Sequence, residues 1–186
     1  MNNKIQKIIL FPIVSLLFFI FSLLFPTSAL ANSTALQNRT ERILDYHTKI
    51  IVNEDSSLDV TENISVVALN QDINRGIFRD FPTLYYDQYG IKRKVGFEVL
   101  DVWKDTINST GMVREPYFTE GLPNGTRVYI GSEDVTLNPG MYYYQIHYKT
   151  TYQLNNLENT DELYYNITGN YWQFPIENAS TEIILP

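Results

Sequence analysis

The 186-residue chain contains no cysteine. That excludes a thiol nucleophile, a thiolate metal site and any disulfide to constrain the unfolded chain. Positive charge is scarce as well: 14 Lys and Arg stand against 21 Asp and Glu, a formal charge of −7. Two of those bases, Lys4 and Lys7, lie in the first 31 residues, which hold no acid, so residues 32–186 are more acidic still. A non-specific nucleic-acid binder needs positive charge to release counterions, and so does a protein held electrostatically to an anionic membrane. Both classes are excluded as expectations. The one compact basic run, Lys92-Arg93-Lys94, reads as a solvated turn.

Catalytic motifs are missing too. There is no H-E-x-x-H, no G-x-S-x-G and no glycine-rich phosphate loop. Asn53–Asp59 has spaced acids but lacks the glycine and closing glutamate of a calcium loop, so it reads as a hairpin turn. The two histidines, His47 and His147, stand alone on strand patterns, whereas a closed metal site needs three or four ligands. No catalytic residue, metal or cofactor is therefore expected.

Long apolar runs occur only at the start. After Lys4 and Lys7, Ile8 to Phe25 is uncharged for 18 residues, and Ala29-Leu30-Ala31 is a small-x-small cleavage signal. Residues 1–31 read as an export signal cleaved after Ala31, the alternative being an uncleaved anchor, since the run is just long enough to span a bilayer. Asn32–Pro186 would then be a single exported domain of 155 residues. At that size a chain buries about 68–70% of its unfolded surface and can be stable without cross-links.

That domain alternates with period two. Leu44, Tyr46, Thr48, Ile50 and Val52 share one parity, and Leu58, Val60, Glu62, Ile64 and Val66 share another after the Asn53–Ser57 turn, which predicts a hairpin. Val95, Phe97, Val99 and Trp103 mark a third strand. Further strands are predicted at 114–120, 126–130, 141–152, 163–167, 171–174 and 181–185. Leu69–Lys94, rich in Gly, Asn, Asp and Pro, reads as a long connection. No helical stripe follows Ala31. The expected fold is all-β, an antiparallel β-sandwich, immunoglobulin-like in general architecture.

Three features stand out within it. Glu62 falls on the apolar parity between Val60 and Ile64, where an unpaired charge is costly. It is either a site carboxylate or half of an internal ion pair, with Arg79 or Arg75 as partner. Tyr142, Tyr144, Ile146, Tyr148 and Tyr152 form a stripe that either packs in the core or stacks on sugar rings. Gly76–Pro82 places Phe78, Arg79, Asp80 and Phe81 in the long connection. These four form a candidate contact loop, unless the two phenylalanines plug the end of the sandwich.

Several stretches together resemble one family. They are Leu58-Asp59-Val60-Thr61-Glu62, Gly76-Ile77-Phe78-Arg79-Asp80-Phe81-Pro82, Tyr129-Ile130-Gly131, Asp161 to Asn170, Trp172 and Phe174-Pro175-Ile176. In this order they resemble the extracytoplasmic domain of the YciQ-like family of bacterial predicted membrane proteins. The resemblance implies a signal peptide, a β-rich domain of unknown function, then membrane helices and a tail often rich in glycine. It implies no enzymatic role. Tyr165 stands where the family often has Trp, and Pro186 stands where membrane helices would begin, so the chain is expected to be the ectodomain of a longer membrane protein. The expected function is a non-catalytic binding or structural domain on the outer side of the cytoplasmic membrane. Its partner would be an unknown cell-envelope ligand or protein, and attachment could run through the N-terminal segment or C-terminal helices. The alternatives are a carbohydrate-binding module, or a hydrolase pairing Glu62 with Asp80, which would require carboxyls about 5–10 Å apart in an open cleft.

Overall fold

The computed structural model describes residues 40–86, 90–106, 111–156 and 160–186. The expected export signal at residues 1–31 lies outside the described residues. In chain order the strands are β1 (Arg42–Val52), β2 (Leu58–Ala68), β3 (Gly76–Pro82), β4 (Leu84–Tyr86), β5 (Lys92–Lys94), β6 (Gly96–Thr106) and β7 (Val113–Arg114). They continue with β8 (Tyr117–Leu122), β9 (Gly125–Gly131), β10 (Gly140–Thr151), β11 (Leu154–Asn156), β12 (Asp161–Leu163) and β13 (Ala179–Ile184). No helix occurs among the described residues.

Two sheets make the sandwich. The larger has the order β13-β1-β2-β10-β6-β7, the smaller β3-β9-β8, and β4–β5 and β11–β12 are separate ladders. One core joins the sheets: Ile50, Val60, Ile64, Val102, Ile146 and Tyr148 from the larger meet Ile77, Phe81, Val128 and Ile130 from the smaller. The all-β reading stands, with one difference. β13 pairs with β1 in parallel, Tyr46 opposite Ala179 through Ile51 opposite Ile184. Strand period alone carries no direction, because side chains alternate identically in parallel and antiparallel ladders.

The β1–β2 hairpin follows its predicted register, Thr48 opposite Glu62 and Ile50 opposite Val60. The Asp55 carboxylate closes its turn by accepting the Ser57 N–H at 3.0 Å. Two bulges change which residues face the core. One at Leu44 shifts parity, so that Ile43 is buried and Leu44 only half-buried. Another at Leu100 turns Val102 inward instead of Trp103. An extra residue re-aims every side chain beyond it.

Gly76–Pro82, expected inside a connection, is a strand. It ends on Gly76 opposite Gly131, both at positive φ (139° and 131°), where a Cβ on either would overlap the other strand's carbonyl. The connection before it is held by Glu41, whose buried carboxylate accepts backbone N–H groups from Leu69, Gln71, Asp72 and Ile73 at 2.7–3.1 Å. Burial raises the Glu41 pKa, but the four N–H donors together outweigh it and hold the pKa below the usual value. The expected strands at 163–167 and 171–174 also differ. Pairing stops at Leu163, and Tyr164–Asn178 runs on irregularly, touching β1 through the bridge Ile43–Ile176. Its residues are spent on packing rather than pairing: Trp172 meets Tyr46 edge to face at 6.0 Å and donates to the Thr168 carbonyl at 2.8 Å.

Candidate functional site

Glu62 is fully buried on β2, and Arg79 on β3 is 3% exposed. They meet between the two sheets. Arg79 Nε donates to Glu62 Oε2 and Nη2 to Oε1, both at 3.0 Å, a two-pronged pair. Alternation along β1 and β10 aims two tyrosines at the same carboxylate. The Tyr46 hydroxyl donates to Oε2 at 2.5 Å and the Tyr148 hydroxyl to Oε1 at 2.9 Å. Arg79 Nε also reaches the Tyr46 oxygen at 2.9 Å, and Nη1 donates to the Asp80 carbonyl at 2.7 Å. A carboxylate offers about four lone-pair sites, so Glu62 is saturated.

Electrostatics hold the cluster in one protonation pattern. Burial, then the Glu62 charge, pushes the Tyr46 and Tyr148 hydroxyls well above the ordinary tyrosine value, so both remain donors. Burial opposes the Arg79 charge, but the Glu62 carboxylate beside it more than compensates, and its pKa lies well above normal. Tyr165, from the irregular segment, completes the chain with its hydroxyl 2.5 Å from that of Tyr148, and burial raises its pKa too.

Arg79, Tyr148 and Tyr165 of this cluster form the floor of a cleft of about 800 Å³, with Glu62 and Tyr46 behind them. Phe81 and Phe97 stack beside the floor with centroids 4.4 Å apart. One wall is Tyr164–Asn170 and another is Ala179–Thr181 at the start of β13. Gly169 lies against the Arg79 guanidinium at φ 72°, where a Cβ would overlap it. Tyr85 and Tyr164 stand at the cleft as exposed rings, 42% and 83% accessible. Among the described residues its polar side chains are hydroxyls and amides, and the single charged one is Arg79, already paired with Glu62.

The four residues expected to form a contact loop do not share one surface. Neighbours on a strand point to opposite faces. Arg79 and Phe81 face the core, while Asp80 and Phe78 face the other side of the small sheet. Asp80 is clamped by Arg127, directly opposite on β9, through bonds of 2.6 and 2.8 Å. The Arg127 guanidinium lies 4.1 Å from the Phe78 ring centre, with Tyr129 and Phe118 stacked beyond at 4.5 Å. Glu62 and Asp80 thus lie on opposite faces of β3, each held by its own arginine, and share no cleft.

The other sequence candidates take simple places. Tyr142, Tyr144 and Tyr148 are core residues, whereas Tyr152 leaves the stripe at φ 63° and is 82% exposed. His147 stands between Asp101 (3.4 Å) and Asp59 (3.8 Å), each nitrogen facing a different carboxylate, and His47 contacts Ser180. No group of three or more metal-ligating side chains occurs among the described residues. Sequence reasoning missed Tyr165 and Gly169 as members of the cluster and Glu41 as the anchor of a loop. All three act across large sequence separations that no local period encodes.

Residues 42–186 match the family described as predicted membrane protein (DUF2207), N-terminal domain. The uncharacterized protein YciQ of Escherichia coli (strain K12) is 30% identical over 146 residues, covering 78% of this chain. The chain spans 22% of the length of that relative. Among solved structures, native yeast LTA4 hydrolase aligns with 62% of this chain and 15% of its own at a TM-score of 0.42 and 15% identity. Its complex with bestatin aligns with 60% and 15% at 0.37 and 16%.

Proposed function

The chain belongs to the DUF2207 family of predicted membrane proteins, and from that premise we propose that residues 32–186 are a non-catalytic binding domain, exported to the outer side of the cytoplasmic membrane behind the signal at residues 1–31. The binding surface is the cleft above Arg79, and the partner is a component of the cell envelope. One observation carries this reading. The charged groups under the cleft are held by internal partners, Arg79 at the floor by Glu62, Tyr46 and a carbonyl, and the Glu62 carboxylate behind it by four donors. Such a floor is rigid and its carboxylate has its lone-pair sites filled, while the walls offer aromatic and neutral polar contacts.

The test uses isolated envelope fractions from the source cells. The chain should co-sediment with them, and Tyr164→Ala should release it without changing its melting temperature. Soluble fragments accumulating from the envelope on incubation with the parent chain, abolished in Glu62→Gln, would refute the non-catalytic reading.

A further inference from the structure

We infer that the cleft above Arg79 takes a neutral oligosaccharide, bound by stacking on Tyr85 and Tyr164 and by hydrogen bonds to the hydroxyl and amide groups of its walls. The inference rests on the reading of this cleft as the binding surface and names the ligand class.

Charge is the first argument. Residues 32–186 are strongly acidic, yet among the described residues no acid lines this cleft and its one base is paired with Glu62 at 3.0 Å. An anionic ligand would find no uncommitted cation among the described lining residues, and a cationic ligand would find no carboxylate among them. Donor type is the second argument. Thr83, Gln153, Asn166, Asn170 and Thr181 bring hydroxyls and amides; Gln153 donates to Thr150, Asn166 to Asn170 and Thr181 to the Thr48 carbonyl, but an amide or hydroxyl has further positions to give or accept a hydrogen bond, as a sugar's hydroxyls require.

Exposed rings are the third. Sugars present an apolar face that an accessible tyrosine can cover while its hydroxyl stays wet. Tyr164 is 83% exposed and Tyr85 is 42% exposed, so burial in this fold does not account for either ring. Tyr85 is braced by a bond from its hydroxyl to the Pro82 carbonyl at 3.0 Å, which fixes the ring at the rim. The buried tyrosines of β10 offer no exposed ring for stacking, since they pack in the core. Rigidity is the fourth. The hydroxyl pair Tyr148–Tyr165 ties the wall segment to the floor, so little ordering is needed on binding. A cleft of about 800 Å³ falls within the usual range for small-molecule sites.

The experiment is an array of neutral oligosaccharides, uronic-acid oligosaccharides and short extended peptides. It is probed with the full chain in a detergent without a sugar headgroup, and hits are followed by calorimetry. Binding should be confined to neutral oligosaccharides, with Tyr164→Ala weakening it about tenfold and leaving the melting temperature unchanged. Asn170→Ala should weaken it as well. Preference for uronic acids or peptides, lost in Tyr164→Ala, would overturn the ligand class and leave the cleft as the binding surface. Binding that survives both substitutions would place the site elsewhere and overturn both readings. No binding to any probe, with the envelope fractions still retaining the chain through Tyr164, would overturn the glycan inference alone.

Discussion

Replacing Glu62 with alanine should be among the most damaging single changes to this domain. The carboxylate is fully buried and accepts two bonds from Arg79 and one each from Tyr46 and Tyr148. Without it the guanidinium, 3% exposed, keeps only the Asp80 carbonyl and the Tyr46 oxygen as partners. Breaking a buried pair from one side costs about 3–5 kcal/mol because the other charge is stranded. For a domain of this size each kcal/mol lowers the melting temperature by roughly 2–4 °C, so a fall of about 10–15 °C is expected. Arg79→Met should cost a similar amount. The double variant Glu62→Leu/Arg79→Met removes both charges and should be more stable than either single variant, since apolar replacement of a buried pair is often neutral. It still strands the Tyr46 hydroxyl, which loses both of its partners. Adding Tyr46→Phe should therefore recover about 1–3 kcal/mol more, the cost of one unsatisfied buried group. Urea denaturation followed by near-ultraviolet circular dichroism gives these values and, with the single variant Glu62→Leu measured as well, the coupling energy of the cycle. The reasoning fails if the two single costs simply add in the double variant, because the partners would then not be relieving each other's burial.

Glu41 has a lowered pKa in the fold, so the stability it contributes is complete above its unfolded value of about 4.3 and is lost as pH falls through the folded pKa. Glu41→Gln should be less stable at neutral pH and show a shallower decline in acid; parallel acid limbs for the two proteins would contradict this. Gly169→Ala should cost about 1–3 kcal/mol, from a left-handed backbone and a Cβ directed at the Arg79 guanidinium. Thermal melts read that cost, and an unchanged melting temperature would mean the segment is not seated on the cluster. Phe81→Ala should cost about 3–5 kcal/mol, because its ring is buried between Phe97 and Tyr148. Phe78→Ser, losing a half-buried ring over Arg127, should cost clearly less; equal costs would mean that β3 does not alternate as described.

The strand-rich character of the chain, its first hairpin and the burial of Glu62 were legible from period two alone. Val60, Glu62 and Ile64 share a parity that the apolar residues assign to the core, and a charge placed there demands a partner. Arg79 could be named as a candidate, but nothing local placed β3. Its Arg-Asp pair breaks the apolar alternation, and each charge is neutralised by a residue far along the chain, Glu62 for one and Arg127 for the other. The same limit hid the bulges at Leu44 and Leu100, since one inserted residue leaves composition untouched and reverses parity beyond it.

Alternation, the apolar run at residues 8–25 and the acidic balance are properties of the sequence itself, because each depends on neighbours along the chain or on simple totals. The parallel seat of β13 beside β1, the four donors around Glu62, and the cleft walled by Tyr164–Asn170 belong to the tertiary structure. Their partners lie up to 133 residues apart, as Thr181 and Thr48 do, and only the packing of one sheet on the other brings such groups within a hydrogen bond.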